Sequence, residues 1–243
     1  FTTDANKIHE RRSSWYDDDD EESSYTSAEI CGKHIIIDRN GTLACPRNKI
    51  TSLEGCPDVL TGSFDCSENP LSSLVGGPQE VGGSYNCKQT EITSLDGSPN
   101  KVGGDFICRE NKLTSLEGAP KEVVGIFNCC YNQLTSLKGI PQEIESLHCV
   151  ENKLISLEGS PQIVNGDFNC GYNQFTSLEG APREVGKEFC CNSTNITSLV
   201  GAPIEVGTDF VCYDNIKLTS LVGAPEKIGG DFYSRGNSNL PIY

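Results

Sequence analysis

The stretch FICRENKLTSLEGAPKEVVGI, residues 106–126, returns immediately as FNCCYNQLTSLKGIPQEIES, residues 127–146, and the two agree position by position. The same phrase runs along most of the 243-residue chain. Its last leucine falls at Leu53, Leu74, Leu95, Leu116, Leu137, Leu157, Leu178, Leu199 and Leu221, spacings of 20 to 22 residues. Self-similarity of this length marks a solenoid, in which each unit is too small to bury its own apolar face and must stack on its neighbours. One structural domain is expected, with function on a surface and not in a catalytic pocket.

Within a unit, apolar residues two apart, such as Phe106 and Cys108, alternate as a short strand does with both side chains inward. Ten such strands are expected in one parallel sheet, from Leu43 and Cys45 to Phe232 and Ser234. Gly and Pro punctuate the return segment too often for a regular helix, so the outer side should be extended, polyproline-like or 3₁₀. The fold class is therefore mainly β. One unit is a residue short: Ile144 stands three ahead of Leu147, where Val102 stands four ahead of Phe106. The residue it lacks belongs to a glycine bulge, such as Gly103 and Gly104, read as using glycine's tolerance of positive φ. Its loss should shift the local curvature.

Three residues after each strand cysteine comes Asn48, Asn69, Asn111, Asn132, Asn152, Asn173, Asn215 or Asn237, with Thr90 and Thr194 as the two exceptions. A side-chain amide both donates and accepts, so a stacked column of them can satisfy the backbone groups of adjacent turns.

The pattern resembles the leucine-rich repeat family, whose LxxLxLxxNxL consensus falls on Ile144, Leu147, Cys149, Asn152 and Leu154. The NxLTSL phrase at Asn111 to Leu116 is most similar to the short-repeat subclass of bacterial effectors. The SLEGxP and GGDF phrases resemble repeat proteins encoded by tailed phages and giant viruses. The resemblance covers about residues 42–240, and this chain departs from the family in its Cys at a usual Leu position and in the extra Gly. It implies a curved parallel sheet that binds protein; a fold does not by itself fix an activity.

Nineteen Lys and Arg against 34 acidic residues give a net charge of −15, which should repel phosphate backbones and anionic membrane. Neither nucleic acid nor membrane is an expected partner. No apolar run reaches the ~18 to 20 residues that span a bilayer, and the displayed N-terminus lacks a signal-peptide core. The chain begins at Phe1 and holds no Met, which reads as a processed or incompletely displayed start.

Nine of the 13 cysteines form the core column, from Cys45 to Cys212. They read as reduced, buried thiols, hence assembly in a reducing cytoplasm with a virion as a further location. Cys130 and Cys190, beside column members, should face out and be oxidation-prone. Cys31, His34, Cys45 and Cys56 gather near one end. Plain packing is the leading reading there, beside a Cys31–Cys56 disulfide and a zinc site of irregular spacing. No cofactor, metal or catalytic motif is otherwise expected.

Residues 1–30 are an acidic segment outside the repeat, with Trp15 and Tyr16 ahead of the run that begins Asp17, Asp18, Asp19, Asp20. This reads as an extended docking peptide. Residues 31–41 should form a hairpin cap with a turn at Asn40-Gly41, and residues 42–243 the array. On the open face of the sheet, Asp105, Asp167 and Asp209 stand with Tyr131, Tyr172, Tyr213 and Tyr233, and a ligand with basic and apolar groups matches them.

The leading reading is a non-enzymatic interaction or structural protein, a component of a virus or phage particle that docks a capsid or other protein through the acidic segment and the sheet. Two alternatives stand beside it. One is a recognition module of a larger effector or enzyme. The other is ice or polysaccharide binding on the regular Thr column at Thr93, Thr114, Thr135 and Thr176.

Overall fold

The computed structural model describes residues 26–240. They form a β-solenoid of about nine turns, with no helix among the described residues. A twelve-stranded long sheet runs its length. It opens with an antiparallel hairpin, Thr26–Ile30 on Lys33–Ile37, joined by Cys31 and Gly32 at φ 50° and 69°. Two consecutive positive φ values give the turn whose twist matches paired strands. Ile37 then pairs antiparallel with Leu43 across the Asn40-Gly41 turn, in which Asp38 Oδ1 accepts the Asn40 and Thr42 amides at 2.9 Å each. From Leu43–Ala44 to Phe232–Tyr233 every neighbouring pair is parallel. Thr26–Ile30, the end of the segment read as an acidic tail, is thus the edge strand of the sheet.

The strand count differs from the expected ten. The hairpin extends the long sheet, and the return side carries eight further strands in two short sheets of four. These are two-residue pairs such as Lys101–Val102 and Glu122–Val123, ahead of the glycines. Of the extended, polyproline-like or 3₁₀ conformations expected for the outer side, the extended one is found, paired into sheets that were not expected. The inward Leu, Val or Ile of each pair recurs at the same place in successive turns, so their backbones come within ladder distance.

Between Leu116 and Pro120 the chain reverses in a tight turn. Ala119 N donates to Leu116 O at 3.0 Å with Gly118 at φ 84°. Positive φ at the third position of a β-turn is what glycine supplies. The Gly103 position works differently, and the expectation of positive φ there is corrected, because neither Gly103 nor Gly104 has one. A Cβ on Gly103 would lie 2.1 Å from the Gly82 carbonyl oxygen. Close stacking of one turn on the last favours glycine at this place, although Val124 takes the same place on the last turn before the break in the short sheets. Asn165 escapes the rule because the short unit places no equivalent residue beneath it.

The core is a set of columns. Phe64, Tyr85, Phe106 and Phe127 stack with ring centroids 5.1 to 5.6 Å apart, Leu147 interrupts, and Phe168, Phe189, Phe210 and Phe232 resume. The cysteine column lies fully buried beside it from Cys45 to Cys212, and every cysteine is a free thiol. Tyr85 is the column's one phenol; its hydroxyl is buried without a partner, opposite Gly77, where a Cβ would approach it to 3.4 Å. At the far end Leu221, the last of the periodic leucines, is 43% exposed, since no described turn stacks upon it.

The asparagine column fastens turn to turn as expected. Asn132 Nδ2 lies 3.1 Å from both Cys108 O, one turn back, and Cys129 O, while its Oδ1 accepts Leu113 N at 3.0 Å. The bond set continues through the short unit at Asn152. Just before each member of this column, Asn or Thr, the chain takes a left-handed residue, non-glycine at nine positions including Glu110, Tyr131 and Tyr172. That conformation costs roughly 1 kcal/mol for an L-residue. The amide bonds to the flanking carbonyls hold it there.

The short sheets end at Glu122–Val123 and resume at Ile163–Val164. The break falls at the unit that lacks one residue.

Candidate functional site

Four columns of side chains stand on the outer face of the long sheet. The column just before each Phe reads Ser63, Ser84, Asp105, Ile126, Ser146, Asp167, Glu188, Asp209 and Asp231. Its short side chains accept the amide of the equivalent residue one turn on. Ser84 Oγ takes Asp105 N at 3.0 Å, Asp105 Oδ1 takes Ile126 N at 2.9 Å, Asp167 Oδ1 takes Glu188 N at 3.1 Å and Asp209 Oδ1 takes Asp231 N at 2.8 Å. This second ladder was not anticipated. Its signal was present in the sequence, because most of the column is Ser or Asp, with Thr42 ahead of Ser63 accepting its amide at 3.1 Å, and these share only a short acceptor oxygen. Asp105, Asp167 and Asp209, read as ligand groups, therefore each commit one carboxylate oxygen to the fold.

In the C-terminal half the columns converge on a shallow groove of about 540 Å³. Tyr172, Tyr213 and Tyr233 stand around it with Glu188 and Asp209, and Cys190 and Val211 lie among its lining. Three residues expected to act together, Tyr172, Tyr213 and Tyr233, are thus joined, with Asp209 beside them. Asp167 lies one turn below Glu188 without lining the groove. Asp105 and Tyr131 stand further down the same face, outside it. Trp15, Tyr16, Asp17, Asp18, Asp19 and Asp20 lie outside the described residues. Asn169, Asn192 and Val150 complete the lining, and neither they nor Glu188 were among the expected site residues.

The electrostatics are one-signed: no Lys or Arg lines the groove. Burial, and then Asp167 and Asp209 on either side, push the Glu188 carboxyl above the usual range. Tyr233 donates its hydroxyl to Asp231 Oδ2 at 3.2 Å, and that bond leads the causes that raise its phenol pKa. Burial leads those for Tyr213. Partial burial lowers the His148 imidazole, opposed by Asp167 and Asp105.

Cys130 and Cys190 correct an expectation. Both lie on the outward side of their strands, yet they are 7% and 5% exposed, because neighbouring side chains close over them. The Cys190 thiol sits 3.0 Å from Asn192 Oδ1. Burial pushes both thiols up to about 11, so at neutral pH they are poor nucleophiles and not oxidation-prone.

At the capped end Cys31 is exposed, its Sγ 3.2 Å from Ser52 O, and Cys56 is half-buried. Among the described residues no group of three or more His, Cys, Asp or Glu side chains is placed to hold a metal ion. No helix among them is long and apolar enough to cross a membrane. The Thr column is exposed, and the Ser beside it closes a turn, as where Ser115 Oγ accepts Glu117 N at 3.3 Å. No protein-family model, curated protein or solved structure matches the chain.

Proposed function

We propose that this chain is a non-enzymatic, leucine-rich-repeat-like interaction protein that docks a partner polypeptide on the outer face of the long sheet. The observation that carries the reading is the groove between Tyr172, Tyr213 and Tyr233, walled by Glu188 and Asp209 and lined by no cation. Tyrosine offers rigid apolar area with a polar tip at small conformational cost, which is why recognition surfaces use it. A basic side chain entering the groove relieves the repulsion among Glu188, Asp167 and Asp209 and stacks on an aromatic face. The acidic segment with Trp15 and Tyr16 supplies a second attachment, and a capsid or other particle protein is the partner class this reading favours.

Crosslinking with mass spectrometry on protein from its native source tests it. Reproducible links from Lys153 or Lys187 to one stoichiometric neighbour are expected, and Tyr172→Ala with Tyr213→Ala should abolish them. A free chain, or links indifferent to those substitutions, contradicts the reading.

A further inference from the structure

A cavity of about 890 Å³ lies on the other side of the solenoid, at the break between the short sheets. Lys121, Glu122 and Val124 form one rim, Ile163 the other, and Glu143 and Ile144 of the short unit the floor.

The backbone shows what is missing. On the approach to the break, each turn bonds to the one before: Lys121 N donates to Asn100 O at 3.0 Å and Val124 N to Val102 O at 3.1 Å. Beyond it the pattern resumes, with Arg183 N to Gln162 O and Gly186 N to Val164 O, both at 2.8 Å. Across the break only the innermost link survives, Glu145 N to Gly125 O at 3.1 Å and Gly166 N to Glu145 O at 2.6 Å. By the same pattern the carbonyls of Lys121 and Val123 on one rim, and the amides of Gln162, Ile163 and Asn165 on the other, have no backbone partner among the described residues.

The rims belong to units two apart. At about 4.8 Å per strand they stand roughly 9.6 Å from each other, the width that one added strand spans with hydrogen bonds on both sides. An extended segment lying there would donate its N–H groups to Lys121 O and Val123 O and accept from Asn165 N and from the adjacent amides of Gln162 and Ile163. Its side chains have partners too. Val124 and Ile163, on opposite rims, are 65% and 54% exposed. Glu122 is paired to Lys101 at 3.1 Å and Glu145 to Lys187 at 3.9 Å, whereas Glu143 has no ion-pair partner among the described residues. We infer that this notch is a docking slot for an extended segment of a protein partner, one alternating apolar residues with Lys or Arg, which completes the split sheet. The slot is independent of the tyrosine-lined groove.

A displayed library of random heptapeptides, panned on the whole protein, tests the assignment. The counter-selection uses a variant with one glycine inserted after Ile144, which restores the missing residue and closes the break. Enriched peptides should alternate apolar with basic residues, bind the parent at least about tenfold more tightly than the insertion variant, and slow hydrogen exchange at Ile163 and Asn165. Ile163→Lys, at an exposed position, should weaken the same peptides without altering thermal stability, so the test survives an insertion variant that fails to fold. Peptides that bind parent, insertion variant and Ile163→Lys alike, a library with no enrichment, or exchange protection confined to the tyrosine face would overturn the slot.

Discussion

On the long-sheet side, Phe127, Leu147 and Phe168 pair in unbroken parallel register straight through the shortened unit, whereas on the opposite side the ladder stops at Val123 and restarts at Ile163. One missing residue has two outcomes because the two sides are fastened differently. The long sheet has backbone pairing and the Asn amides on both steps of the short unit, and Ser146 Oγ adds an acceptor on the step to Asp167, though Ile126 supplies none on the step before. The short sheets have two-residue strands and close glycine stacking. A register error collects where the fewest bonds oppose it.

Alkali should strike the long-sheet side hardest, since that side holds the thiol column. Burial raises Cys45 and Cys212 to about 12, and holds Cys66, Cys108, Cys129, Cys149, Cys170 and Cys191 well above the ordinary thiol range. The folded state keeps these thiols protonated, while the unfolded chain ionises them near pH 8.5 to 9. Stability is therefore fully present below the unfolded thiols' range near pH 8.5 and falls as pH rises toward 12, by up to about 1.4 kcal/mol per pH unit for each thiol. A thermal midpoint level to pH 8.5 and falling steeply above it is expected; one unchanged to pH 10.5 would break this part of the account.

The glycine argument is sharpened by a pair of substitutions. Gly103→Ala drives a Cβ into the Gly82 carbonyl and should cost about 3 kcal/mol in urea denaturation. Asn165→Ala, at the same place in its unit but above the gap, should stay within about 0.5 kcal/mol. Equal effects would mean that stacking is not what selects the glycine.

For the amide column, Asn132→Ala leaves the Leu113 amide and the Cys108 and Cys129 carbonyls short of partners and should cost about 2 to 3 kcal/mol. Asn132→Thr should recover part of that, as Thr90 does through the bond from its hydroxyl to Cys87 O at 2.8 Å. The smallest change runs the other way. Tyr85→Phe removes a buried hydroxyl that lacks a partner and should stabilise by about 1 kcal/mol.

The period of the leucines was enough to read the turns, the parallel long sheet and the inward Phe and Cys, because a buried column repeats one residue type. The Asn column was legible for the same reason, and the Asn40-Gly41 turn marked the cap. The short sheets were not legible. A strand of two residues shows no alternation, and the Val that anchors it reads equally well as a loop residue packed on the core. Gly103 was recognised as necessary but for the wrong cause, since steric closeness to Gly82 and tolerance of positive φ leave the same letter in the sequence. The tyrosines of the groove come from different columns, Tyr172 just before the ladder Asn, Tyr213 just after the strand Cys and Tyr233 just after the strand Phe. Their convergence is a product of the fold. Cys190 was given the right direction and the wrong exposure, because strand alternation does not report what Asn192 covers.

Residue-resolved hydrogen exchange on the parent and on the variant carrying one glycine after Ile144 bears most directly on the claim that one lost residue opens one side and spares the other. In the parent, the amides of Leu147 and Phe168 should be as protected as that of Phe106, while those of Ile163 and Asn165 exchange far faster than those of Glu184 and Gly186. The inserted glycine should erase that contrast. Parent amides at Ile163 and Asn165 as slow as those at Glu184 and Gly186 would contradict the account.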